Sequence, residues 1–330
     1  MWAEKVLKTT AVWGTLKYRD GNDRGKVLTM PRVYFTSLHG ENWTLSAARD
    51  LFARHGAPGF SLARTIGEAE IVLYVESGYV GIPDIPQLFR GAKAAPGAKH
   101  FMFCESDWPY PLLPGMYPNV GRRYSWAHSW AFFPRHEWTE PVSEEPNLLF
   151  SFAGRTSTHP VREAVVELNG PETPCRGLTG PSFGQGDGYR ELIEKSRFVL
   201  CPRGLGVASF RIFETMSAGR VPVIIADEWL EPDAGRPWSE FSIRVPEAGV
   251  DTIPVLLRSA QPCWKEMGNA ARQVYEERFS SRVFLSVLLS RLTERFAHCH
   301  PNILWRATKA VRWWDVRAGL AVIREGPKVA

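Results

Sequence analysis

Apolar positions fall into two separated groups of short, unbroken runs, each run bounded by polar or glycine-containing stretches. In the first group Arg32–Thr36 (RVYFT), Glu70–Val75 (EIVLYV) and His100–Cys104 (HFMFC) read as strands. Helical spacing occupies the intervals at about Leu45–His55 and Pro86–Lys93. The pattern then restarts with strands at Asn147–Phe152, Phe198–Cys201, Val221–Ile225 and Ser242–Val245. Between them lie helical stretches at about Pro160–Leu168, Gly188–Ser196 and Ser209–Ala218, the last stopped by Gly219. Strands without polar alternation are buried on both faces, which a parallel sheet covered by helices requires. The fold class is therefore α/β, with two Rossmann-like domains facing a cleft. The break falls near residues 141–146, after a Pro-, Trp- and Tyr-rich connection from Glu105 that is long enough to be functional. The expected organisation is a first domain over 1–145, a second over 146–300 and a C-terminal helix over 301–330. Residues 1–30 read as an irregular leader, and the stretch from Asp251 to about Val322 is almost all helical.

Composition narrows the classes. With 44% hydrophobic and 23% charged residues, the 330-residue chain has ample core, which excludes disordered and fibrous proteins. Forty Lys and Arg against 35 Asp and Glu leave +5, an excess that suits an anionic ligand but is too small to argue for nucleic acid. Five cysteines without a CxxC pair argue against a disulfide framework. No apolar run approaches the ~20 residues of a membrane span, and the first residues lack a signal-peptide core. A cytoplasmic protein is expected.

The chemistry concentrates in Ser196–Glu247. A buried strand ends at Cys201, and Pro202-Arg203-Gly204-Leu205-Gly206 lets the backbone pass close to a ligand. A helix start near Ser209 offers free N–H groups to a phosphate. Arg211 lies in the first turn, where its guanidinium can reach the same anion. Glu214, three residues on, shares that helix face and is placed for the hydroxyls of a ribose. A plain surface Arg/Glu pair leaves the glycine loop and its flanking apolar strands unexplained.

The residues Phe198-Val199-Leu200-Cys201-Pro202-Arg203-Gly204, Ser209-Phe210-Arg211, Phe213-Glu214, Gly219-Arg220-Val221-Pro222-Val223-Ile224 and Trp238-Ser239-Glu240-Phe241-Ser242 resemble the exostosin family of glycosyltransferases. Phe152-Ala153-Gly154-Arg155 and Val161-Arg162 echo it, so that the resemblance covers about residues 147–247. It implies a GT-B fold and inverting transfer from a nucleotide-sugar donor, in this family mostly UDP-linked, to a glycan or glycoconjugate acceptor. It also implies that no metal or other cofactor is required. Carried onto this chain, the implied donor-site residues are Arg155, Arg203, Gly204, Ser209, Arg211 and Glu214. Animal and plant members generally carry a membrane anchor, which this sequence does not show.

The catalytic base is expected from the first domain, at the ligand-facing ends of its strands. The candidates are Asp107, Glu105, His39 and Glu41, each with a solvated or capping role as the alternative. Glu105-Ser106-Asp107 fails the first position of a DxD metal motif, and His298-Cys299-His300 has no complementary pair at ligand spacing. Gly184–Gly188 has no strand before it, so it reads as a loop and not as a dinucleotide fingerprint. The basic, amphipathic 301–330 segment suits either packing on the first domain or peripheral contact with an anionic membrane. Two other classes stay open: a nucleotide-dependent oxidoreductase and a non-catalytic polysaccharide-binding protein.

Overall fold

The computed structural model describes residues 30–77, 84–109, 111, 113–122, 128–140, 142–178 and 187–297. The expected leader, the 301–330 helix, His298–His300 and most of the 184–188 loop lie outside these residues.

Ten strands build two parallel sheets. The first contains β1 (Arg32–Thr36), β2 (Ser61–Leu62), β3 (Ile71–Glu76), β4 (Lys99–Cys104) and β5 (Gly115–Met116), in the order β2-β1-β3-β4-β5. The second contains β6 (Leu148–Gly154), β7 (Cys175–Gly177), β8 (Ser196–Pro202), β9 (Val221–Ile225) and β10 (Ile243–Arg244), in the order β10-β9-β8-β6-β7. Every pairing is parallel. The central strands are the continuously apolar ones: all six residues of β3 and all five of β9 are buried. Burial on both faces favours apolar side chains at successive positions, so the alternation typical of a half-exposed strand is missing; Glu76, at the end of β3, is the exception. These are the two α/β sheets of a GT-B-like architecture, as expected from the sequence.

Helices α1 (Trp43–His55) and α2 (Ile85–Ala94) connect the first sheet's strands. Asn42 and Asp84 cap them by accepting the N–H groups of Leu45 and Gln87. Helices α3 (Val161–Val166), α4 (Asp187–Lys195) and α5 (Arg211–Ser217) serve the second sheet. They are followed by α6 (Ile253–Ala260), α7 (Trp264–Val274) and α8 (Phe284–Arg295). Helix α5 is buried along its whole length and starts at Arg211, two residues later than the sequence suggests. Gly219 then turns the chain with φ 70°, a conformation that costs a side-chain-bearing residue energy.

Each sheet has an apolar cluster of its own on one face, and a third cluster is shared between them. Both lie in the unit that begins at Pro31, and one apolar cluster joins Phe35, Leu73 and Phe103 of the first sheet to Val199, Ile212 and Met216 of the second half. The join is aromatic. Phe103 packs edge-on to Phe133 at 4.9 Å, Phe133 meets Phe284 at 4.7 Å, and Phe279 meets both Trp130 and Phe213. Helix α8 thus returns from the second half to close the first sheet, where Phe296 reaches Phe101 at 5.8 Å.

Candidate functional site

Both sheets present the carboxyl ends of their strands to one region, the position where open α/β sheets hold ligands. On the second sheet, β8 ends at Pro202 and the loop 203–210 leads into α5. Arg162 of α3 shapes that loop from beneath. Its Nε donates to the Arg203 carbonyl at 2.7 Å, Nη2 to Pro202 at 3.2 Å and Nη1 to the Arg155 carbonyl at 3.0 Å. Burial, then the nearby Arg211 charge, lowers the Arg162 pKa to about 9. One side chain therefore ties together the loops after β6 and β8, which carry Arg155 and Arg203.

Arg211 is only 4% exposed. Its Nη2 donates to the Ala153 carbonyl at 2.5 Å, and its guanidinium lies over the rings of Phe152 and Tyr189. Its Nε and Nη1 have no hydrogen-bond partner. Glu214, also buried, accepts the Tyr189 hydroxyl at 2.6 Å. Burial raises the Glu214 carboxyl pKa, against the lowering effect of Tyr189 and Arg211. A pocket opens beside Glu214, lined among others by Phe132, Arg135, Phe210, Phe213 and Tyr275. Arg203 is mostly buried, 4.0 Å from Glu247, and its Nε lacks a partner. Gly204 passes so close to Arg162 that an added Cβ would lie 3.1 Å from Nη2. Ser209 is buried just ahead of α5, and its carbonyl accepts the Ile212 N–H. Arg155 is exposed at the loop surface. A seven-residue helix offers little dipole, so an anion here is met by guanidinium groups and loop N–H groups.

The first sheet's edge is different. Glu76, at the end of β3, is buried and accepts Ser37 Oγ at 2.8 Å, Leu38 N–H at 2.7 Å and His39 Nδ1 at 2.8 Å. Glu105 is fully enclosed. It accepts the Phe133 N–H and Arg135 Nη2, both at 2.5 Å, and the Thr44 hydroxyl at 3.3 Å. Glu105 is thus engaged by the protein's own donors, and Glu41 stands at the surface in a two-pronged pair with Arg49, at 2.7 and 2.9 Å. His39 is held through Nδ1 by Glu76. Asp107 is half-buried; burial raises its pKa against the lowering effect of the Gly206 backbone and the Arg162 charge.

Asn119 fixes this junction. Its Oδ1 accepts the Ala208 N–H at 3.0 Å, and its Nδ2 donates to the carbonyls of Ser106 at 3.1 Å and Glu105 at 3.4 Å. A Cβ on Gly206 would lie 2.3 Å from Asn119 Oδ1, so only glycine fits. Among the described residues, no three His, Cys, Asp or Glu side chains are grouped to hold a metal ion. Asn119, Tyr189, Glu76 and Arg135 have no sequence signal of their own.

Residues 128–260 match the model of the Exostosin GT47 domain. The match starts well before residue 147, where the sequence motifs begin, and takes in the Phe132–Glu137 stretch that lines the pocket. An exostosin-1 homolog of Caenorhabditis elegans is 41% identical over 90 residues, 27% of this chain and 24% of that protein. A probable glycosyltransferase of Arabidopsis thaliana is 40% identical over 120 residues, 36% of this chain and 24% of that protein. The chain spans about a quarter of the length of these relatives. A solved glycosyltransferase from Rickettsia africae superposes with a TM-score of 0.48 at 9% identity, covering 81% of this chain and 98% of that one.

Proposed function

We propose, with the exostosin GT47 match over residues 128–260 as premise, that the chain is an inverting glycosyltransferase. It moves a sugar from a nucleotide donor, UDP-linked in this reading, to a glycan or glycoconjugate acceptor. The observation that carries the reading is the buried Arg211 guanidinium with Nε and Nη1 unpaired, next to the buried carboxyl of Glu214. Unspent donors in a desolvated place cost energy in the free protein, and a ligand anion recovers it.

In the reaction, Asp107 takes the proton of the acceptor hydroxyl as that oxygen bonds to the anomeric carbon. The bond from this carbon to the diphosphate oxygen breaks, and the nucleoside diphosphate leaves with the electron pair. Configuration inverts. Charge grows on the leaving diphosphate, so fixed cations at Arg211, Arg203 and Arg155 act more strongly on the transition state than on the bound donor. The raised Asp107 pKa makes it a better proton acceptor than a solvated carboxylate.

Calorimetry with UDP on wild type and Arg211→Ala tests the assignment. Loss of a charge-assisted bond costs ~1.5–3 kcal/mol, about tenfold to a hundredfold in affinity. Equal UDP binding by the folded variant sinks the donor site. NAD and an oligonucleotide, run as thermal-shift arms beside UDP, report on an oxidoreductase and a nucleic-acid binder.

A further inference from the structure

Asn119 is buried where three loops meet, and its side-chain amide bonds to two of them. We propose that Asn119 is a positioning residue of the transfer reaction. It holds the loop that carries Asp107 at a fixed distance from the glycine loop that faces the donor's diphosphate. The two ends of the displacement are thereby aligned before either substrate arrives. This role rests on the donor-site reading above and gives that reading a residue that acts without touching donor or acceptor.

The residue is anchored from behind. The carbonyls of Pro118 and Val120, on either side of it, accept the Trp229 Nε1–H at 3.1 Å and the Leu230 N–H at 3.4 Å. The Arg122 N–H donates to the Glu228 carbonyl at 3.1 Å. Residues 118–122 follow the first sheet in sequence, yet they are sewn to residues 228–230, which follow β9. From that base the amide reaches both ways. Oδ1 accepts the Ala208 N–H of the glycine loop at 3.0 Å. Nδ2 donates to the Ser106 carbonyl at 3.1 Å and the Glu105 carbonyl at 3.4 Å. The backbone at Gly206 lies against the same amide, since an added Cβ would overlap it. Arg162 pins the start of that loop through Pro202 and Arg203. On the other side, Glu105 is held by its side chain as well, through the Phe133 N–H and Arg135. Asp107 is the residue that follows this gripped pair.

An amide suits the task because one rigid plane carries both an acceptor and a donor. It joins an N–H of one loop to a carbonyl of another at a set spacing, which a hydroxyl is too short to do. Displacement at the anomeric carbon needs the attacking and leaving oxygens in line, and an error of ~1 Å can cost ~10²-fold. The spacing of the two loops is therefore a kinetic quantity. Its loss falls on the chemical step more than on the affinity for nucleotide, and it falls there through Asp107.

The test is a double-mutant cycle in the full chain, with Asn119→Ala and Asp107→Asn made singly and together. UDP binding is read by calorimetry, and turnover as nucleotide release from a panel of UDP-sugars with a glycan panel. Asn119→Ala should lower kcat about tenfold to 10²-fold. It should weaken UDP binding by no more than about tenfold, the net worth of one hydrogen bond. In the Asp107→Asn background the same change should cost less than about twofold in kcat, because a residue that acts through Asp107 has nothing left to position. An equal loss in both backgrounds, or a loss confined to UDP affinity, overturns the role and leaves the donor site standing. Wild type that binds no UDP overturns the donor-site reading first. A second measurement needs no variant to fold. In hydrogen exchange on wild type, saturating UDP should slow the backbone amides of residues 203–209 and, through Asn119, those of residues 104–108. Protection that stops at the glycine loop overturns the coupling.

Discussion

The carboxyl-end edges of the two sheets face one region but are finished in opposite ways. On the first sheet, Glu76 and Glu105 are buried and each accepts three hydrogen bonds from the protein's own groups. On the second, Arg211 and Arg203 keep guanidinium N–H groups unpaired although they are buried. Saturated polar groups under a sheet edge build structure, whereas unsaturated ones keep a place for something else. Asp107 differs from Glu105, two positions away: Asp107 is half-buried with no such set of donors among the described residues, and Glu105 is enclosed and accepts three hydrogen bonds.

The contrast breaks most sharply at Arg135. Arg135→Ala leaves Glu105 buried without its cation, a loss of about 3–5 kcal/mol in urea unfolding at pH 8. Burial already raises the Glu105 pKa, and losing Arg135 raises it further. The sign follows. A carboxyl whose folded pKa is raised destabilises only as pH climbs through that value, so the deficit should shrink as pH is lowered and Glu105 gains its proton. A deficit independent of pH means that Glu105 is not the group being paid for.

Glu214→Gln sharpens the comparison from the ligand side. Its carboxyl pKa is also raised, so its contribution to stability is complete below the unfolded value near ~4.3 and is lost as pH rises through the folded value. Glutamine still accepts the Tyr189 hydroxyl. The variant should melt a few degrees higher than wild type at pH 8, converge with it near pH 4, and bind UDP more weakly by about tenfold. A structural carboxyl would give the first result without the last. The smallest expected effect is that of chelation. If guanidinium groups carry the diphosphate, turnover in excess EDTA matches the untreated rate; loss restored by manganese or magnesium assigns that charge to a metal instead.

The sequence shows the large elements well because continuous apolar runs are long enough to read. It does not show β2, β5 and β7, which have two or three residues each and leave no period. The arrangement of β8, the glycine loop and α5 is legible because strand, loop and helix follow one another within about twenty positions. The junction is not. Asn119 meets Ala208 across 89 residues, and Glu105 meets Arg135 across 30, so neither pair leaves a spacing to find. Glu105 and Glu41 look alike as candidate acids in the sequence, and only the structure separates them, one enclosed by protein donors and the other at the surface beside Arg49.

The return of α8 has a consequence for how the molecule is made. The first sheet is synthesised early, yet Phe284 and Phe296, which complete the packing against Phe103 and Phe101, emerge about 180 residues later. At ~5–20 residues per second, the nascent first sheet waits on the order of ten seconds or more with an apolar face uncovered. The second sheet has most of its own helices by then and can assemble on its own schedule. Helix α8, the last of the described helices, then closes the earlier-made first sheet, and a chain stopped before Phe284 would keep that face open to chaperones and proteases for its whole life.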